Sequence, residues 1–405
     1  MMQRSGVGIR SLAGLFLTVI VACAIGHAAE PVTVVDTQGQ IHKSELQGWS
    51  SEGLRLAEWL PLERIISVDF GRNADRPPAA GALILFANGD VWNARPQQSA
   101  DESLTVHWER YAAWPPTTVP LEAVSALVLN LPATQSSLRR LWLDLETRKE
   151  GADLVVLTTG ERTRDQWLGV DPAFVELDRS GDALKLDRAR VRAIGLDRDL
   201  ISFPEITGLR LVFRLRDSSQ VTARSAEMRD DTLVLQLAWS AELLVPLHEV
   251  VRCDVLGPRV VPVADRKPLS FRHTPYLSEA WPLVANRNVW HGPLRIAGRP
   301  LATGLGMHSQ SLATYAIEPG DRELRGVVGL DDEAGEQGSV RFRILVDDRE
   351  VWSSPEVTLT SGPVPIPPVQ LAGSKQFSLA VDFGSNADVG DYANWGDLLI
   401  LRDAD

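Results

Sequence analysis

Leu60-Pro61-Leu62-Glu63-Arg64-Ile65 has three counterparts further along the chain: Val119-Pro120-Leu121-Glu122-Ala123-Val124, Leu186-Asp187-Arg188-Ala189-Arg190-Val191 and Val245-Pro246-Leu247-His248-Glu249-Val250. Their starts lie 59, 67 and 59 residues apart. Each is an aliphatic residue, Pro or Asp, a few mixed positions, then a β-branched residue that opens a new apolar run. Self-similarity at such a period marks a chain built from copies of one small unit.

Upstream of each copy an alternating apolar run enters a polar turn: Val32 to Val35 before Gln38-Gly39-Gln40, Leu83 to Phe86 before Asn88-Gly89-Asp90, Leu154 to Leu157 before Thr159-Gly160-Glu161, and Leu211 to Leu215 before Asp217-Ser218-Ser219. Such pairs between alternating runs signal hairpins. A further alternating strand sits between turn and signature (Leu54/Leu56, Leu104/Val106, Phe174/Val175/Leu177, Leu233/Leu235/Leu237). Each copy thus reads as strand, hairpin, strand, strand, short turn, strand. Period-2 alternation with one buried face suits a small curled sheet. The order resembles SH3-like or Sm-like small barrels. Units this short bury little surface alone, so the copies are expected to pack on one another.

One segment departs from the β pattern. Ser136 to Lys149 sets Leu138, Leu141, Trp142 and Leu145 at helical spacing, with Ser136 or Ser137 placed to cap the start and Gly151 past the end. The organisation expected is two β repeats over 30–132, a linking helix over 133–150, two more repeats over 151–258, a Pro/Val-rich linker over 259–267 and a last domain over 268–405.

Residues 1–29 carry Arg4 and Arg10, an apolar run from Leu12 to Ile25, and Gly26-His27-Ala28-Ala29. This reads as a secretory signal, too short to span a bilayer, and predicts an extracytoplasmic protein with no transmembrane segment after cleavage. Ile20-Val21-Ala22-Cys23 also resembles a lipoprotein cleavage box, which would anchor the chain through an acylated Cys23. The formal charge is −12, and −14 without Arg4 and Arg10. Nucleic acid is excluded as a partner on that charge. Cys253, alone after the signal and flanked by valines, reads as a buried apolar residue.

From Phe271 onward the composition shifts to Tyr276, Tyr315, Tyr392, Trp281, Trp290, Trp352 and Trp395 among Gly- and Asp-rich turns. Short strands so spaced indicate a sandwich or jelly roll. Five collinear motifs follow: Tyr276-Leu277-Ser278; Gly304-Leu305-Gly306-Met307-His308-Ser309; Val328-Gly329-Leu330-Asp331-Asp332; Gly338-Ser339-Val340 with Phe342 and Val346-Asp347-Asp348; and Asp391-Tyr392-Ala393-Asn394-Trp395-Gly396-Asp397. Together they resemble the NPCBM family of carbohydrate-binding modules. The resemblance implies a galactose-binding-like β-sandwich with sugar recognition on its loops, and a polysaccharide or glycoconjugate as partner. Met307, Ser309 and Asn394 stand where that family usually has Thr, Ala and Asp.

A pyranose site combines a flat apolar face with a few directional polar groups. Trp290 and Trp395 are candidate faces or, equally, core plugs between sheets; His308, Asp331, Asp332 and Asn394 are candidate hydrogen-bonding groups. Asp382, Asp388 and Asp391, among glycines, read either as a calcium site or as a solvated acidic loop.

The chain shows no nucleophile elbow, metal-binding His pair or phosphate loop. Adjacent acids such as Asp331-Asp332 and Asp230-Asp231 point to opposite faces of a strand and cannot serve as a glycosidase pair. The expected function is that of an exported, non-catalytic carbohydrate-binding protein. Two alternatives stand beside it: a scaffold whose β repeats bind an exported protein partner, and an unrecognised glycoside hydrolase.

Overall fold

Each signature copy folds as the end of one strand, a single turn of 3-10 helix and the start of the next strand. The turns are Leu62–Arg64, Leu121–Ala123, Arg188–Arg190 and Leu247–Glu249. The residue before each turn explains why Pro and Asp interchange there. Pro61, Pro120 and Pro246 hold φ at −60°, −68° and −56° through the ring. Asp187 adopts φ −55° and caps its turn with its carboxylate, which accepts from the Ala189 amide at 2.8 Å.

The computed structural model describes residues 30–75, 81–108, 110–111, 114–276 and 280–403. The signal and Cys23 readings, and Leu277 and Ser278 of the first C-terminal motif, lie outside them. Four units share one element order. The first has the hairpin Glu30–Asp36/Ile41–Leu46, a three-stranded meander (Gly48–Trp49, Gly53–Arg55, Trp59–Pro61), the 3-10 turn and a closing strand Ile65–Asp69 that returns beside Glu30–Asp36. The second, third and fourth units repeat this, with closing strands Val124–Val128, Val191–Gly195 and Val250–Leu256.

The units do not close into separate barrels. Their hairpins and closing strands join edge to edge in one 14-stranded sheet, in the unit order third, second, fourth, first. Closing strands meet across two boundaries, Leu127 opposite Ile194 and Cys253 opposite Val68; hairpins meet across the third, Gln220 opposite Val91. Edge pairing satisfies backbone groups that a short isolated unit would leave to solvent. One apolar core runs through all four units, with Val34, Ile84, Val155 and Phe213 from the four first strands.

The other face of this sheet is also covered. Over the second and third units lies the helix Gln135–Glu146, with Leu141, Trp142 and Leu145 buried against Leu83, Leu85, Val128 and Val156. Its cap is Thr134, two to three residues before the serines read from sequence; its Oγ1 accepts from the Ser137 amide at 3.4 Å. Over the first and fourth units lies the C-terminal domain, which contributes Val260, Ala302, Leu399 and Leu401 to a cluster with Ile66, Val212 and Leu256.

That domain is a sandwich. One sheet orders Val284–Ala285, Gly304–His308, Tyr392–Arg402, Asp321–Leu330 and Val364–Gln370; the other orders Ser270–His273, Ser311–Ala316, Gln376–Phe383, Ser339–Val346 and Arg349–Ser353. The segment read as a linker is part of it. Val260–Pro262 pairs with Leu399 to Leu401, Val263 is fully buried in the sandwich core, and Arg266 forms a two-pronged ion pair with Asp321 at 2.6 and 2.8 Å.

Candidate functional site

The strand Tyr392–Arg402 alternates its side chains between two faces, with a one-residue shift at a bulge near Asp397. Ala393, Trp395, Leu398 and Ile400 enter the sandwich core. Trp395 is fully buried, edge-on to Phe342 of the opposite sheet at 5.1 Å and 90°. It offers no face to a sugar, so its candidacy as a platform is withdrawn: it is a core plug.

Asn394 points the other way and is also buried. Its Nδ2 donates to Asp331 at 2.6 Å and to the Arg295 carbonyl at 3.1 Å. Asp331 further accepts from Asn288 Nδ2 (3.1 Å) and from the amides of Glu333 (3.0 Å) and Arg295 (3.3 Å). Asn288 in turn accepts from the amides of Trp290 and Gly292. Asp332 instead takes the Gly298 amide at 3.0 Å and an ion pair with Arg295. These polar residues therefore hold two loops in place, one of which carries Trp290; their carboxylates are engaged by protein donors, whereas Asn394 Oδ1 is buried without a partner.

Burial pushes the Asp331 carboxyl up to about 7, against hydrogen bonds from Asn394 and the Glu333 amide that favour its charged form. Asp391, buried and accepting from the Ser309 hydroxyl and the Ser339 amide (2.9 Å), is pushed up to about 6 for the same first cause. A carboxyl raised above its unfolded value binds its proton more tightly in the folded state, so stability falls as pH rises between the two values. The folded protein is expected to lose a few kcal/mol between about pH 4 and pH 7 from these groups. Asp331→Asn should flatten that slope in urea titrations across the range; an unchanged slope would contradict the assignment.

Side chains on the loops and strand ends nearby form an aromatic cluster. His308 stacks on Trp281 at 4.5 Å with 4° between planes. Trp290 meets Trp281 edge-on at 4.8 Å, and Tyr392 lies 5.7–5.9 Å from all three rings. Trp281, Trp290 and Tyr392 are half-buried, whereas His308 is buried. Burial pulls the His308 imidazole below the usual histidine range. Its Nδ1 donates to the Ser309 carbonyl at 2.7 Å, which leaves Nε2 an acceptor in the neutral ring. Arg139 arrives from the linking helix, its guanidinium 5.1 Å from the Trp290 and Tyr392 rings and bonded to Glu333 at 2.9 and 2.7 Å.

Of the sequence candidates, Trp290 and His308 come together at one surface, whereas Asp331, Asp332, Asn394 and Trp395 serve the framework. Trp281 and Tyr392 were missed as site residues, although the aromatic enrichment of this segment was their signal. Arg139 left none, because it sits 142 residues before Trp281 in the chain.

The calcium reading is not supported. Asp382 is paired with Arg343, Asp391 is engaged by Ser309 and Ser339, and no three His, Cys, Asp or Glu side chains converge on a common point among the described residues.

Comparison with known proteins agrees with the motif reading. The family model for the NPCBM/NEW2 domain matches residues 261–400. "Alpha-1,3-galactosidase B" of Akkermansia muciniphila is 32% identical over 117 residues, which is 28% of this chain and 14% of the enzyme's length. Among solved structures, CBM51 from Clostridium perfringens GH95, in complex with methyl-galactose, is similar at 20% identity, covering 35% of this chain and 99% of that one with a TM-score of 0.32. The tandem CBM51 modules of the family 98 glycoside hydrolase from Streptococcus pneumoniae SP3-BS71 are similar at 8% identity, covering 92% and 88%, also with a TM-score of 0.32. Residues 261–400, from the strand Val260–Pro262 to the strand that buries Trp395, are an NPCBM/NEW2 domain.

Proposed function

We propose that the protein is exported and binds a glycan at the Trp281, Trp290, His308 and Tyr392 cluster, without transforming it. The observation that carries this reading is the gathering of three half-buried aromatic rings around a neutral histidine with a free acceptor nitrogen, within an NPCBM/NEW2 domain. Aromatic faces pack against the apolar side of a pyranose while polar groups select its hydroxyls. Arg139, in the corner between Trp290 and Tyr392, would belong to the same wall. The domain's acids support a binder over a hydrolase, since Asp331, Asp332 and Asp391 are each engaged by protein donors and Asp331 is enclosed. Arg4, Arg10 and the apolar run to Ile25 support export, with the mature chain free outside the cytoplasm or anchored through Cys23.

Galactosides are the first ligands to try, given the similarity to a galactosidase. A shallow site predicts a dissociation constant on the order of 0.1–1 mM. In calorimetric titrations with methyl-galactoside and a glycan array, Trp281→Ala should weaken binding by about tenfold or more. Arg139→Ala should weaken it less. Retained affinity in Trp281→Ala would move the site elsewhere, and turnover of aryl glycosides would replace the binder by an enzyme.

A further inference from the structure

Where the 14-stranded sheet, the linking helix and the C-terminal domain meet, they leave a cleft of about 740 Å³. Its floor is the junction of the second and fourth units, with Val212, Gln220 and Thr222; one wall is the helix with Trp142, and Phe203 closes one side. Arg287 joins the lining from the loop that carries Trp290, which packs against Trp142 through Gly292. Its lining mixes apolar side chains with polar and charged ones, the acids Glu205, Asp265, Asp331, Asp332 and Glu333 among them, and its volume is that of a small-molecule pocket.

Arg287 is the informative residue. Its Nη2 donates to the Gly89 carbonyl at a long 3.4 Å, and no carboxylate lies within ion-pair distance of it among the described residues. Asp90 and Glu146 act on it only from further away. Asp90 is already committed to the Thr222 amide and hydroxyl, both at 2.7 Å. The other arginines of the cleft differ: Arg210 is paired with Asp265, Arg214 with Asp254, and Arg295 with Asp332. Arg287 is partly buried, and a guanidinium partly withdrawn from water with no carboxylate beside it is left open to an incoming anion. Burial accordingly pulls its proton affinity down.

We propose that this cleft binds a small organic anion, with its carboxylate, sulfate or sulfonate on Arg287 and its body against Trp142 and Phe203. The site is separate from the aromatic cluster and does not rest on the glycan reading. 8-Anilino-1-naphthalenesulfonate, an aromatic sulfonate, serves as the probe in fluorescence titrations of the full chain. One saturable site is expected, with affinity falling on the order of 10- to 100-fold in Arg287→Met and less in Arg287→Lys. Arg287→Met should also melt at or above the wild-type temperature, because it removes a partly buried charge that no carboxylate pairs. Absence of a saturable site, equal binding by wild type and Arg287→Met, or a lower melting temperature in that variant would each overturn the proposal, the last by making Arg287 a structural residue.

Discussion

Trp395→Ala is expected to lower the unfolding free energy by about 3–5 kcal/mol, among the larger effects a single substitution can have here. The indole is wholly buried and meets Phe342 across the sandwich, so truncation empties a large core site flanked by two rigid sheets that cannot collapse into it. Denaturant titration of the full chain, followed by tryptophan emission and circular dichroism, measures the loss. Glycan affinity in the surviving folded fraction should be near wild type, since the ring faces the core and not the loops. Unchanged stability combined with lost binding would reverse both assignments and restore Trp395 as a platform.

A comparable loss is expected for Asp254→Ala. This carboxylate sits in the closing strand of the fourth unit, buried, and bonds Arg214 and Arg252 at 2.5 and 2.7 Å. Arg214 also reaches Asp397 of the C-terminal domain at 3.6 Å and bonds the Pro300 carbonyl. Burial raises the proton affinity of Asp254, yet the two guanidiniums overcome it and hold the group below the usual carboxylate range. Removing the carboxylate leaves Arg214, nearly inaccessible, and Arg252 with only the longer pairings to Asp397 (3.6 Å) and Asp69 (3.7 Å), at a cost of about 3–5 kcal/mol. Pairing the change with Arg214→Met should recover part of that loss, the signature of coupled charges. Additive losses in the double variant would show that Asp254 and Arg214 are not coupled.

The pH slope assigned to Asp331 and Asp391 runs opposite to that of Asp254. The first two carboxyls favour the folded state when protonated, and Asp254 favours it when charged. Acidification from neutral pH should therefore strengthen the loop framework first and weaken the unit–sandwich junction only below the usual carboxylate range.

Local pattern carried much of this architecture. The Pro or Asp before each 3-10 turn does one job by two means, a fixed φ or a side-chain cap, and both are visible as residue types. Alternation placed the strands, and helical spacing placed Leu141, Trp142 and Leu145 on the buried side of the one helix among the described residues. The segment 259–267 was misread because Pro and Val are as common in linkers as in edge strands; its pairing partner, Leu399 to Leu401, lies far along the chain. The run Leu398-Leu399-Ile400-Leu401 carried a further cue. It is apolar without alternation, as a strand buried on both faces must be, here between the sandwich core and the 14-stranded sheet.

The site was legible in type more than in place. Composition concentrated aromatic residues in the last domain, but whether a given ring enters the core depends on strand parity: Trp395 and Asn394 are neighbours that face opposite ways. The sequence by itself determined what neighbouring residues decide among themselves: turn geometry, strand periodicity, helix face, the collinear motifs of the NPCBM/NEW2 domain and the acidic net charge. Only the tertiary structure decided which of the four units are adjacent, that their sheets fuse instead of closing, that Arg139 reaches Trp290, and that Arg287 faces a cleft without a counter-ion. Those outcomes turn on which edges and buried charges meet across long stretches of chain, and no local pattern encodes such pairings.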